Sequence, residues 1–484
     1  MSQQNDTKFH DLPIGIAAAG IRIESDSMGE IAVPAEHYWG AQTARALVHF
    51  AIGTERLPPA LYHAYGIVKR AAAEVNASGG HLPEYKAHAI IHAAGEVASG
   101  ALDDEFPLSM WQTGSGTQAN MNVNEVIANR AIQLLGGRIG SKSPVHPNDD
   151  VNKAQSSNDS FPTAMHVATA LAIQRQVRPA VVTLADTIEH KSSEWMDVVK
   201  IGRTHLMDAV PLTVGQEWSG WAAQLRSALA ALDRNCTALF ELAAGGTAVG
   251  TGTNAPSGFS RAIAARISEL TGLPFRSAPN KFASLGGLDA SAATMAGLRG
   301  IAIALIKIAN DLRWLGSGPR CGIGEVRLPE NEPGSSIMPG KINPTQCEAI
   351  IMIGTQILGL DAALASAAGQ GNFQLNVMRP LAAYNLLTSA RLIADGANVF
   401  RTYTVEGVEL NRERIAEFLD RSLMLVTALS PIIGYDQAAK IAHEAYRQGI
   451  GLRDAALASG LVDSDTFDKA VDPAAMAGRG FSGA

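Results

Sequence analysis

The stretch Leu298-Arg-Gly-Ile-Ala-Ile-Ala-Leu-Ile-Lys-Ile-Ala-Asn-Asp-Leu-Arg-Trp-Leu315 decides the fold class. Leu298, Ile301, Leu305, Ile308, Leu312 and Leu315 recur in steps of three and four, the spacing of helices that pack in bundles. Ala302, Ile303, Ala304 and Ile306 fill the positions between them, so the predicted helix is apolar nearly all round. A helix of that kind is buried on several sides, which requires a multi-helix core rather than a surface position.

The same period recurs on either side. Ile173, Val177, Val181, Leu184 and Ile188 form a second stripe, with Pro179 as the expected kink. Over 120–135, Val123, Val126, Ile127, Ala131 and Leu134 form a third, ended by Gly136. Alternating strand patterns are few and short, so the fold class is all-α. Three helical parts are expected behind a loose tail over 1–20: an N-terminal domain over 21–152, a central helix bundle over 153–411 and a small C-terminal domain over 412–484. The last begins where Arg412, Glu413, Arg414, Glu417 and Asp420 make the composition charged again.

Of the 484 residues, 46% are hydrophobic and only 18% charged, below the roughly 25% of an average soluble chain. Small apolar residues with few charges suit close-packed helices hidden in part by other subunits, so an oligomer is expected. The net charge of −7 lacks the basic excess that drives binding to a phosphate backbone, which excludes nucleic acid. Cys236, Cys321 and Cys347 are far apart and form neither a disulfide framework nor a metal-ligand pattern. The apolar stretch 349–369 is interrupted by Gln356 and Asp361 and reads as a buried helix, not a membrane span. A soluble, cytoplasmic protein is expected.

Four polar islands stand out in this apolar chain. They are Thr113-Gly-Ser-Gly-Thr-Gln118 with Asn120, Asn122 and Asn124; His146-Pro-Asn-Asp-Asp-Val-Asn152 with Ser156-Ser-Asn-Asp159; Gly202-Arg-Thr-His205; and Gly334-Ser-Ser-Ile-Met-Pro-Gly-Lys-Ile-Asn-Pro344. At least three precede helices. Asn343 reads as an N-cap with Pro344 and Gln346 behind it, Asp159 or Ser160 as the cap of a helix with Pro162 in its first turn, and Thr117 as a cap near Gln118. Helix N-termini carry free N–H groups and a positive dipole end, so several converging would receive a small carboxylate. Singly, such residues are ordinary caps and turns. The rival motifs fail: Gly334 and Gly340 are separated by five residues where a nucleotide P-loop has four, with Ile342 after Lys341, and no zinc-protease or nucleophile-elbow pattern occurs.

Taken whole, 334–344 resembles the signature loop of the fumarase/aspartase superfamily, and the other islands agree in order and spacing. Pro339-Gly-Lys341 and Ser156-Ser-Asn158 lean toward class II fumarases. Met207, Val210, Asn254-Ala-Pro256 and Gln374-Leu-Asn-Val-Met378 depart from the usual fumarase wording, Val210 and the last toward aspartase. The resemblance implies three helical domains and a homotetramer with active sites shared between subunits, and no metal or organic cofactor.

It also implies a reaction, the reversible trans-addition of water to fumarate through an aci-carboxylate. Ser335 corresponds to the general base, Lys341 and Asn343 to the carboxylate ligands, and His205 to the acid, polarised by Glu348. Ser115, Thr117, Ser156, Ser157, Asn158, Thr204 and Ser336 correspond to substrate-binding groups for a small dicarboxylate. His146, Asn148 and Asp149 correspond to a second anion site. Aspartate ammonia-lyase or another substituted-succinate lyase is the neighbouring reading, and a silent binding paralogue the reading from another class.

Overall fold

In the computed structural model, which describes residues 9–478, helices carry the chain almost throughout. A β-hairpin opens it, β1 (Ile21–Asp26) and β2 (Gly29–Pro34), followed by α1 (Ala41–His49), α2 (Pro59–Ser78), α3 (Glu84–Ala98), α4 (Thr117–Leu134), α5 (Ser157–Ala172) and α6 (Arg178–Glu194). A second hairpin, β3 (Val199–Thr204) and β4 (Met207–Thr213), precedes α7 (Val214–Asn235), α8 (Phe259–Thr271), α9 (Lys281–Gly286) and α10 (Asp289–Leu315). Then come α11 (Thr345–Ala368), α12 (Arg379–Phe400), α13 (Arg412–Arg421) and a set of short helices ending at Met476. Among the described residues the strands form only two-stranded sheets, so the all-α class stands.

The chain divides into two compact units. The first comprises 1–178, 230–300 and 356–393, and the second 179–229, 301–355 and 394–484. In the first, α2 packs on α3, α5 and α8, burying Leu61, Tyr65, Val68, Ile90, Phe161 and Ile263. In the second, Ile201 of β3 joins Leu425, Leu429, Ile441, Leu452 and Phe467 in one cluster, while Trp195, Trp218 and Trp221 pack ring on ring.

The stripe that predicts α10 is buried as expected, with Leu298, Ile301, Leu305, Ile308, Leu312 and Leu315 at 6% exposure or less; Ile303 is exposed. By length and composition, α10 and α11 would suffice to cross a membrane. Asp361, which interrupts the apolar run of α11, pairs with Arg299 of α10 at 2.6 Å. The kink expected at Pro179 is resolved one turn earlier: 173–177 is a wide π-turn, which accommodates a proline that offers no N–H and crowds the carbonyl four residues back.

The stretch expected as a loose tail differs from that reading over its described part. Phe9 packs on His88 and His92. The His10 N–H donates to the Leu134 carbonyl, and the buried Arg130 donates to the carbonyls of Leu12 and Pro13 while pairing with Glu96. Residues 9–15 are a strap tied to the end of α4, because its carbonyls find donors there that their own sequence does not supply.

Candidate active site

The first unit gathers the serine and threonine islands. Ser115 Oγ lies 2.9 Å from Thr117 Oγ1, which lies 2.8 Å from Ser157 Oγ, so three hydroxyls from two helix starts form one chain. Glycine makes this approach possible. A Cβ on Gly114 would lie 1.5 Å from the Val377 carbonyl oxygen, and one on Gly116, at φ +75°, would lie 2.0 Å from the Phe161 ring.

The caps differ from the expected ones. Ser156 caps α5, accepting the Asn158 N–H at 3.2 Å, while Asp159 returns the bond to the Ser156 N–H at 2.9 Å. Neither Asp159 nor Ser160 is the cap, and Pro162 falls in the second turn. At α4 the free N–H of Ala119 is taken by Gln112 Oε1 at 3.0 Å, which leaves the Thr117 hydroxyl for Ser115 and Ser157.

His146, Asn148 and Asp149 come together as an N-terminal turn. His146 Nδ1 accepts the N–H groups of Asn148 and Asp149 at 3.1 and 3.2 Å. The imidazole thereby occupies the two donors an anion would use.

The second unit holds the other islands. Thr204 ends β3, and His205 and Leu206 make the two-residue hairpin turn at φ +57° and +62°, both exposed. A turn with both central residues left-handed matches the right-handed twist of the two strands, and non-glycine residues there are strained. The hairpin root is braced by ions. Lys200 Nζ lies 2.9 Å from Glu217 and 2.7 Å from Glu325, and Arg203 lies 2.8 Å from Glu325.

In the signature loop, Ser335 Oγ accepts the N–H groups of Ile337 and Met338 at 3.2 and 3.1 Å. Two donors aimed at one hydroxyl oxygen stabilise negative charge on it. Ser336 and Lys341 are exposed. Asn343 is not the N-cap expected: its amide donates to the Gly334 carbonyl and ties the ends of the loop together, and α11 starts at Thr345. Glu332 accepts the Thr345 hydroxyl at 2.7 Å. Glu348 lies exposed in the first turn of α11, and among the described residues no hydrogen bond or ion pair joins it to His205.

Sequence reasoning passed over Lys69, Lys281 and Arg379 under the first cluster and read Asp159 only as a cap. Burial pushes Lys69 down to about 7, Lys281 down to about 8 and Asp159 up to about 6. Arg379 is as fully buried as Lys69 and Asp159, whereas Lys281 is half-buried. Lys69 had one signal: it stands four residues after Tyr65 and three before Ala72, on the apolar face of α2. Among the described residues no group of three or more His, Cys, Asp and Glu side chains is placed to hold a metal.

The class follows from comparison with known proteins. Residues 29–359 match the family described as Lyase, and residues 425–478 match the one described as fumarase C C-terminus. A fumarate hydratase class II of Methanosarcina acetivorans is 58% identical over 97% of this chain and 97% of its own. One from Thermosynechococcus vestitus is 56% identical over 95% and 98%. The crystal structure of a class II fumarase from Schistosoma mansoni superposes with a TM-score of 0.93 at 44% identity, covering 95% of this chain and 99% of that one. The chain belongs to the class II fumarate hydratase family.

Proposed function

We propose that the protein interconverts fumarate and L-malate by general acid–base catalysis. The observation that carries the mechanism is the pair of N–H groups on Ser335 Oγ, in a chain of this family. The C3 proton of malate lies beside a carboxylate that already bears charge, so its removal needs a base held ready and donors for the dianion that results. A serine alkoxide is too unstable in water to serve. The Ile337 and Met338 N–H groups make it attainable, and Lys341, exposed in the same loop, adds positive charge.

Ser335 takes the C3 proton to give the aci-carboxylate, with Lys341 and Asn343 as its ligands once the Asn343 amide leaves Gly334. The intermediate then expels the C2 hydroxyl, which His205 protonates directly or through a water; Glu348, not paired with His205 within one chain, serves as its polarising carboxylate where another subunit brings the two together. Ser115, Thr117, Ser156, Ser157, Asn158, Thr204 and Ser336 hold the substrate oxygens. His146, Asn148 and Asp149 receive a second anion only when the imidazole gives up its two N–H groups. We read the working enzyme as a homotetramer whose sites are built by several subunits. The low charge content and the exposed apolar Ile303, Met352 and Leu358 on α10 and α11 support this.

The test follows the ultraviolet absorbance of fumarate's conjugated double bond, with L-malate and separately with L-aspartate as substrate. A rise with malate alone is expected. A rise with aspartate alone would overturn water as the leaving group and make Met207 and Gln374 specificity determinants.

A further inference from the structure

Beneath the N-terminus of α5 lies a carboxylate with more cations than it can balance. Asp159 is fully buried; one oxygen accepts the Ser156 N–H, the other those of Gly245 and Thr247 at 2.9 and 2.8 Å. Three cations face it: Lys69, Lys281 and Arg379. Among the described residues, none is hydrogen-bonded to a carboxylate. Lys69 donates to the amide oxygens of Asn120, Asn152 and Gln155 at 2.8–3.1 Å, and Lys281 to the Leu242 carbonyl at 2.6 Å. Arg379 donates to the carbonyls of Asn158 and Leu285, and its Nε has no partner among the described residues. Nearby His166, half-buried at the surface, is pushed down to about 4 by loss of solvation and stays neutral; Glu241 is engaged by Arg276. With all groups ionised, two positive charges remain unbalanced. Leaving charges buried and unpaired costs several kcal/mol each, so such a cluster needs an offsetting partner.

We infer that Lys69, Lys281 and Arg379 are positioning residues that hold this uncancelled charge beneath Ser115, Thr117, Ser157 and Asn158, where it matches the two negative charges of a dicarboxylate substrate. The inference rests on the reading above that these residues hold a substrate carboxylate. The links are short. Arg379 binds the carbonyl of Asn158 and, through its N–H, that of Gly114 at 3.2 Å. Lys69 reaches Ser160 through the shared Asn120 oxygen. Surface cations would be screened by salt within about 10 Å, whereas these act through protein of low polarity. Hydroxyls and amides above them then supply geometry, and the arriving dianion supplies the missing negative charge.

The experiment measures inhibition constants of the full-length enzyme for succinate and for butyrate, which has the same carbon count and one carboxylate fewer, between about pH 6 and 7, where Lys69 still carries its proton and Asp159 has lost its own. Removing one buried positive charge weakens the dianion more than the monoanion. Arg379→Met and Lys69→Met should each raise the succinate constant about tenfold relative to that of butyrate. Arg379→Lys, which keeps the charge and loses the fork, should restore the ratio whatever its thermal stability. Inhibition constants report only folded enzyme, and the half-buried Lys281→Met replaces any variant that does not fold. An unchanged ratio in the methionine variants, with Ser157→Ala still weakening both ligands, overturns the charge balance alone. Indifference of both ligands to Ser157→Ala overturns the assignment of the carboxylate site, and the inference with it.

Discussion

Pro162 leaves the carbonyl of Asn158 without its helical N–H donor, and Arg379, from the first turn of α12, donates to that carbonyl instead. Arg379→Met strands two buried carbonyls, those of Asn158 and Leu285, and should cost about 2–4 kcal/mol. Pro162→Ala returns an N–H to Asn158, so adding it to Arg379→Met should recover about 1 kcal/mol. Thermal unfolding at a fixed protein concentration measures both, and strict additivity would contradict the link.

Ser335→Ala removes the hydroxyl on which the Ile337 and Met338 N–H groups converge. Turnover should fall by about 10³-fold or more, with circular dichroism and subunit assembly unchanged, because the side chain lies in a surface loop. Substantial residual activity would remove Ser335 as the base.

His205 occupies a left-handed turn position, and asparagine is the substitution such a position tolerates. His205→Asn should therefore shift stability by no more than about 0.5 kcal/mol while lowering kcat by about 10²–10⁴-fold. The pH–rate profile is the decisive measurement: loss of one limb is expected, and an unchanged profile would count against His205 as the acid.

Lys69 should make stability depend on pH. Burial lowers it from 10.5 to about 7, so between those values the native state binds fewer protons than the unfolded chain and stability rises with pH. Below about 7 the whole penalty of burying the ammonium is present. Denaturant titrations of the parent and of Lys69→Met, compared from pH 7 to 10, should show a rise that the variant lacks. Parallel curves would mean that Lys69 titrates normally.

The all-α class was legible in sequence because period and burial are the same physics: Leu298 to Leu315 repeat every three to four residues, and they are the side chains that α10 buries. The serine-rich loop over 334–344 was legible because short polar residues between apolar helices have few structural reasons to cluster. The caps were not. Ser, Thr, Asn and Asp are nearly interchangeable by type at a helix start, and the backbone path selects among them. Ser156 therefore caps where Asp159 or Ser160 was expected, and Asn343 turns back to Gly334.

What the sequence alone determined is local: which segments are helical, which turns are polar, and which residues can donate or accept a proton. The tertiary structure alone decided the surroundings of those groups. Lys69, Asp159, Lys281 and Arg379 lie up to hundreds of residues apart, and only folding places them beneath one helix terminus. Charge acts through space across a medium whose polarity the fold creates, so neither their proximity nor their lowered or raised affinities for protons is written in any local pattern.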